Sequence, residues 1–69
     1  MHVYERVREY ITNHGIKQTV VARKCGISTS KFNAILSGKR TMYVDDLRSI
    51  CYALNVSPET FIVYTEHGS

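Results

Sequence analysis

The sequence predicts a single all-α domain of five short helices. Apolar residues recur at helical spacing through successive segments, and Gly15, Gly26 and Gly38 stand where three of these segments end. No segment before residue 60 alternates apolar and polar residues as a half-buried strand does. A chain of 69 residues suits one domain, near the lower limit for a self-sufficient core.

The first two helices are predicted over residues 2–14 and 18–25. Helical spacing gives each of them one apolar face. These faces consist of Val3, Val7, Tyr10, Ile11 and His14 in the first helix, and of Val21, Ala22 and Cys25 in the second. Gly26 follows the second helix at a position that needs a positive φ, which glycine adopts without a Cβ clash.

The third and fourth helices are predicted over residues 29–37 and 44–54. Their inner faces consist of Phe32, Ile35 and Leu36 in the third helix, and of Val44, Leu47, Ile50, Cys51 and Leu54 in the fourth. Two aspartates in the first turn of the fourth helix suit its positive N-terminal end. Tyr43 occupies the cap position of that helix, and tyrosine caps poorly.

A fifth helix is predicted to begin with Ser57 as its N-cap and Pro58 at its first position. The segment over residues 58–66 contains an apolar run, although one helix face suffices for the core, and we expect the surplus to form a homodimer interface. That interface consists of Phe61, Ile62, Val63 and Tyr64. An irregular tail that covers the core is the alternative, and the β-branched residues leave open a C-terminal strand.

The charge of the chain is strongly polarised. Residues 17–40 contain no Asp or Glu and six basic residues, which are Lys17, Arg23, Lys24, Lys31, Lys39 and Arg40. Residues 1–16 carry no net charge and residues 41–69 carry −3, so the net +3 conceals one basic region. This distribution favours a surface that binds a polyanion over an ordinary solvated surface.

Several classes of protein are disfavoured by the sequence. No apolar run approaches the roughly 18 residues of a membrane span, and the N-terminus is charged, so neither an anchor nor a signal peptide is expected and the cytoplasm is the expected compartment. Cys25 and Cys51 lack the spacing of metal ligands and are expected to be free core thiols. His2, His14 and His67 are scattered. We therefore predict no metal, no cofactor and no enzymatic activity.

Residues 18–37 have the spacing of a helix-turn-helix. Two helices that cross steeply through a short link need a small residue where they touch and a residue tolerant of positive φ in the link. With Gln18 as the first position of the motif, Ala22 occupies the small position and Gly26 the turn. The positions that must be apolar are filled by Val21, Cys25, Ile27, Phe32 and Ile35.

With these residues, and with Ser-Gly-Lys-Arg directly after the motif, the chain resembles the Xre/Cro-type helix-turn-helix family of phage and bacterial repressors. The resemblance covers roughly residues 3–63. It implies a lambda-repressor-like domain of five helices, in which the second and third form the motif. It also implies binding to double-stranded operator DNA as a homodimer.

The resemblance assigns roles to individual residues. Those expected to face base edges are Ser28, Thr29, Ser30, Asn33 and Ala34. Those expected from the resemblance to contact phosphates are Gln18, Ser37, Lys39 and Arg40. Lys17, which stands where the family often has Ser or Thr, and Lys31 are expected to contact phosphates through their charge. The outward arc of the third helix agrees with the first set, and its side chains are short. Among them only an asparagine can make a bidentate contact, by preference to adenine.

These observations predict a transcriptional regulator, a repressor of prophage or mobile-element type, that binds operator DNA as a homodimer. A protein-interaction module of antitoxin type on the same fold is the alternative. An enzyme is a remote third reading, because no nucleophile, carboxylate pair or cofactor loop is visible. The sequence does not identify an antirepressor or toxin partner.

Overall fold

The structure of the protein is a computed structural model that describes residues 2–62. Within these residues the chain forms four α-helices and one 3₁₀ turn and contains no strand. The helices are α1 (Val3–Asn13), α2 (Gln18–Cys25), α3 (Thr29–Leu36) and α4 (Val44–Leu54), and the 3₁₀ turn spans Pro58–Thr60. The predicted all-α class is confirmed, and the first four predicted helices lie within a residue of their predicted bounds.

The predicted fifth helix is not confirmed. The Ser57 hydroxyl accepts a hydrogen bond from the Glu59 amide at 3.3 Å, as an N-cap should, and Pro58 follows it. The segment nevertheless makes only a single 3₁₀ turn before Phe61. Cap residues fix where a helix can begin, whereas its length depends on packing beyond the first turn. The last four residues of the predicted segment, 63–66, lie outside the described residues.

The core is assembled from one apolar face of each helix together with Phe61. Its buried members are Val7, Ile11, Val21, Ala22, Phe32, Ile35, Leu36, Leu47, Ile50, Cys51 and Phe61. In this arrangement α2 packs against both α3 and α4, while α1 packs against α3. The helix-turn-helix is therefore supported from two sides, by α1 behind α3 and by α4 behind α2.

Two members of the predicted inner faces do not belong to the core. Val44 is 73% exposed, because it occupies the first position of α4, where the helix has not yet turned toward the interior. His14 lies just beyond the last residue of α1 and is exposed, with its ring stacked on Tyr10 at a centroid distance of 4.0 Å. Helical spacing places residues on a face but does not say how far the core extends along it.

In two helices a carboxylate in the first turn accepts a hydrogen bond from the backbone amide of the N-cap residue. The His2 amide donates to Oε1 of Glu5 at 2.8 Å at the start of α1. The Tyr43 amide donates to Oδ2 of Asp46 at 3.0 Å at the start of α4. Tyr43 is a poor N-cap residue, but Asp46 compensates, because its carboxylate accepts a hydrogen bond from an amide that has no partner within the helix.

Candidate nucleic-acid interface

The two helices of the motif meet at a small buried residue. Ala22 and Val21 on α2 are each 1% exposed, and Phe32 on α3 is fully buried. Between the helices Gly26 has a φ of +75°, and the Ile27 amide donates to the Ala22 carbonyl at 3.1 Å. A Cβ at Gly26 would meet nothing within 4 Å, so the turn requires glycine for its backbone conformation alone.

The five residues predicted to face DNA bases lie on α3 and at its N-terminal cap. Ser28, Ser30 and Asn33 are exposed, whereas Thr29 and Ala34 are half-buried. The Ser28 hydroxyl accepts a hydrogen bond from the Lys31 amide at 3.1 Å, so its oxygen serves as the helix cap. Its hydrogen remains available to an acceptor outside the helix. The exposed arc of α3 therefore presents hydroxyl groups and one carboxamide.

The loop after α3 folds back on the helix end. The Gly38 amide donates to the Ile35 carbonyl at 3.2 Å, and the amides of Lys39 and Arg40 both donate to the Ala34 carbonyl, at 3.0 and 3.1 Å. The hydroxyl of Ser37 donates to the same carbonyl at 3.1 Å. The amides of residues 37–40 are thus already bonded within the chain, and the exposed side chains of Lys39 and Arg40 are the cationic donors that this loop presents to solvent.

The opposite end of the motif offers unpaired donors. Lys17 is the exposed N-cap residue of α2, and its side chain makes no cap hydrogen bond. The amides of Gln18 and Thr19 lie in the first turn, where no helical carbonyl can reach them. Such a turn suits an anion, because the helix dipole and the free N–H groups both favour negative charge. The sequence analysis did not identify Thr19.

The structure divides the basic segment. Lys24 lines a depression of about 470 Å³ beside α4, together with Asp45, Arg48 and Tyr52. Lys39 and Arg40 instead belong to the loop after α3, and Lys17 to the start of α2. The six basic residues of the segment 17–40 are thus spread over the start and body of α2, α3 and the loop after α3, so the local charge of the sequence does not give the number that share one surface.

The predicted dimer interface needs correction at Phe61. This residue is 1% exposed and packs edge-to-face on Tyr10 at a centroid distance of 5.4 Å, so it is a core residue. Ile62 is half-buried, and Val63 and Tyr64 lie outside the described residues. A run of consecutive apolar residues does not reveal which of its side chains is buried in the core.

Ile62 lines an apolar depression of about 550 Å³ between the start of α1, the loop after α3 and the start of α4. Tyr43 and Val44 also line it and are 67% and 73% exposed. The sequence analysis had placed Val44 in the core and did not identify this surface.

Both thiols are held away from reactive chemistry. Cys51 is 2% exposed, Cys25 is half-buried, and neither forms a disulfide. Burial raises the pKa of the Cys51 thiol. Burial also raises the pKa of Cys25, and the negative charge of Asp46 adds to that effect. Both thiols are therefore protonated at neutral pH and pack as small apolar side chains.

Two helices that meet at a buried alanine, a glycine turn between them and a basic loop after the second helix together define a helix-turn-helix DNA-binding domain. A family model for the Cro/C1-type HTH DNA-binding domain matches residues 6–67, so the chain belongs to this family of double-stranded DNA-binding domains. Comparisons with curated proteins and with solved structures found no significant match. None of the helices within residues 2–62 is long and apolar enough to cross a membrane.

Proposed function

We propose that the protein is a transcriptional repressor of prophage or mobile-element type that binds an operator as a homodimer. The observation that carries this proposal is the exposed arc of short polar side chains on α3, with a donor-rich turn at one end of the motif and a basic loop at the other. Family membership supports the DNA-binding part of the proposal. Repression and dimerisation are the parts that require the experiments below.

The base contacts are proposed for Ser28, Thr29, Ser30, Asn33 and Ala34. Asn33 is exposed on α3 and is the one carboxamide of this set, so it can pair with both edge atoms of an adenine. The hydroxyl groups of Ser28 and Ser30 are short, and they reach a base only if α3 lies deep in the major groove or if water bridges the gap. The half-buried methyl of Ala34 suits a thymine methyl group.

The phosphate contacts are proposed for Lys17, Gln18, Lys31, Ser37, Lys39 and Arg40. The strongest of these are Lys39 and Arg40, whose exposed side chains leave a loop with satisfied backbone donors. Ser37 is the weakest, because its hydroxyl hydrogen already binds the Ala34 carbonyl. Contacts of this kind fix the register of a protein on the duplex, while the base contacts supply sequence preference.

The partner proposed for the apolar depression is a second copy of this chain. The depression contains Ile62, the one residue of the predicted dimer interface that is described and not in the core, and it adds the exposed Tyr43 and Val44. Arg40 itself also lines the depression, so a second copy bound here lies beside the loop that carries the proposed phosphate contacts. A near-palindromic operator with half-sites about one helical turn apart follows from such pairing.

Operator binding is tested by selecting bound fragments from random duplex DNA and then placing the selected site ahead of a reporter gene. Enrichment of a near-palindromic sequence and lower reporter output on expression of the protein would support repression. Absence of any duplex binding at low salt would refute the proposal. A bound site that raises reporter output would instead identify an activator.

Dimerisation is tested with Val44→Glu, which places a charge in the apolar depression. Tyr52→Glu is the matched control, because Tyr52 is 89% exposed near the other end of the same helix and does not line that depression. In sedimentation experiments Val44→Glu should be a folded monomer with much weaker operator binding, and the control should remain dimeric. If the native protein is monomeric both free and on DNA, the dimer proposal is wrong.

An antitoxin-type module is the second candidate, and the same exposed apolar surface favours it, since such a surface could receive a partner protein instead of a second copy. Expression of the neighbouring gene without this protein distinguishes the two. Growth arrest that is relieved by this protein, with a stable complex of the two on gel filtration, would favour the antitoxin.

A further inference from the structure

Helix α1 is hydrogen-bonded to the C-terminal end of α3. Nη1 of Arg8 donates a hydrogen bond to the carbonyl oxygen of Leu36 at 3.2 Å, across 28 residues of sequence. Leu36 is the last residue of α3, so its carbonyl has no acceptor role within the helix. A guanidinium at this position also meets the negative end of the helix dipole.

A second residue of α1 contacts the chain just beyond that carbonyl. Tyr4 lies one turn before Arg8 on the same face of α1. Gly38 has a φ of +83°, and a Cβ placed on it would lie 2.6 Å from the Tyr4 hydroxyl oxygen and 2.7 Å from the adjoining ring carbon. The Tyr4 ring therefore lies directly against the turn, and glycine is required there both for its φ and for the space.

These two contacts hold the start of the loop that carries the proposed phosphate-contacting residues. Lys39 and Arg40 follow Gly38 directly, and their amides are both bonded to the Ala34 carbonyl. Lys39 and Arg40 lie one and two residues after Gly38, and three and four residues after Leu36, so both α1 contacts are close to them along the backbone. A shift of α1 relative to α3 would move the loop, whereas the exposed arc of α3 could stay in place.

We propose that Tyr4 and Arg8 are positioning residues for the DNA contact of Lys39 and Arg40. They hold residues 37–40 against the end of α3 before DNA arrives, and they do so without contacting the phosphates themselves. The inference rests on the proposed DNA-binding function. Its consequence is that the loop is ordered in the free protein, so binding does not have to order it.

The first test measures the loop without DNA. In Arg8→Ala, hydrogen exchange at the amides of Lys39 and Arg40 should become on the order of tenfold faster, while exchange in α2 stays unchanged. Arg6→Ala is the matched control, because it removes the same charge from the same helix, and Arg6 lines a depression with Tyr10 and Phe61, whereas the hydrogen bond to Leu36 comes from Arg8. Arg8→Lys should restore most of the protection, since an ammonium group can donate to the same carbonyl.

The second test is a double-mutant cycle on the selected operator fragment. Arg8→Ala should weaken binding on the order of tenfold in the native background but less than about twofold when Lys39 and Arg40 are already alanine, because the residue acts through them. Equal losses in both backgrounds would show that Arg8 binds phosphate itself and would overturn the proposal. A loss that vanishes after correction for the folded fraction would overturn it as well.

A separate variant approaches the same contact from the loop. Gly38→Ala should also speed exchange at Lys39 and Arg40 by displacing the Tyr4 ring, and it leaves the charge of the protein unchanged. Unchanged exchange in both Arg8→Ala and Gly38→Ala would overturn the proposal, whatever the result with DNA. Native protein that binds no duplex would refute the proposed function, while the exchange measurement would still decide whether α1 holds the loop.

Discussion

Replacing Lys39 by alanine tests whether the position of a cation, and not its presence in the basic segment, determines DNA binding. Lys39 is exposed in the loop after α3, whose backbone amides are already bonded to the helix end. Lys24 belongs to the same segment of the sequence but lines the depression beside α4. Lys24→Ala removes the same charge and is therefore the matched control.

The expected magnitude follows from counterion release. Each lost phosphate contact reduces the slope of log affinity against log salt by about 0.9, hence by about 1.8 when two copies bind one operator. The ratio of native to variant affinity should then shrink roughly tenfold when salt rises from about 50 to about 200 mM. Lys24→Ala should leave the slope nearly unchanged, because general charge effects are screened within about 10 Å.

Fluorescence anisotropy titrations of the selected duplex at four or more salt concentrations measure both slopes. Titrations of a scrambled duplex should show the same slope change, since phosphate contacts are independent of sequence. Equal slopes for Lys39→Ala and the native protein would refute the assignment of this loop to the DNA backbone. A slope change in Lys24→Ala as large as that in Lys39→Ala would show that the whole segment acts as a diffuse charge.

Three further predictions concern the fold and its titrating groups. Gly26→Ala should lower the free energy of unfolding by about 1 kcal/mol, and Gly26→Asn by less, because the positive φ is the only feature that requires glycine there. Thermal melting measures both changes, and an Ala variant as stable as the native protein would contradict this prediction. Cys25 and Cys51 should react slowly with iodoacetamide at neutral pH and faster as pH rises past the ordinary thiol value, since burial raises the pKa of each; rapid labelling near pH 7 would contradict it. The hydrogen bond from the His2 amide lowers the pKa of Glu5 below its usual 4.5, so the ionised carboxylate stabilises the fold above pH 4.5 and this stabilisation is lost as the pH falls through the lowered pKa. Glu5→Gln should flatten this loss in melting experiments at acid pH, and identical pH profiles of the variant and the native protein would contradict the assignment.

The sequence was sufficient for features that depend on neighbouring residues. Ala22 and Gly26 identify the motif, and the Ser28 cap lies where its side chain indicates, because helix spacing, turn and cap are local properties. The same locality explains why the first four helices were predicted within about one residue.

Features that depend on tertiary packing could not be predicted in the same way. The orientation of Lys24 toward α4 requires knowledge of how α2 and α4 pack, and the contact of Arg8 with Leu36 joins residues 28 positions apart. Phe61 shows the same limit, because it is buried against Tyr10 of α1 and the apolar run that contains it does not indicate this contact. The candidate site was thus predictable as a set of residue types, but not as a surface.

The separation of the α3 arc from the core has a consequence for how such a protein can diversify. Ser30 and Asn33 are exposed and take no part in the buried cluster, so either can be exchanged with little change in the free energy of unfolding. Thr29 and Ala34 are half-buried and tolerate fewer replacements. Under the base contacts proposed above, a lineage that carries this scaffold can change its operator by substitutions at these two exposed positions, while the residues that hold the helices together stay as they are.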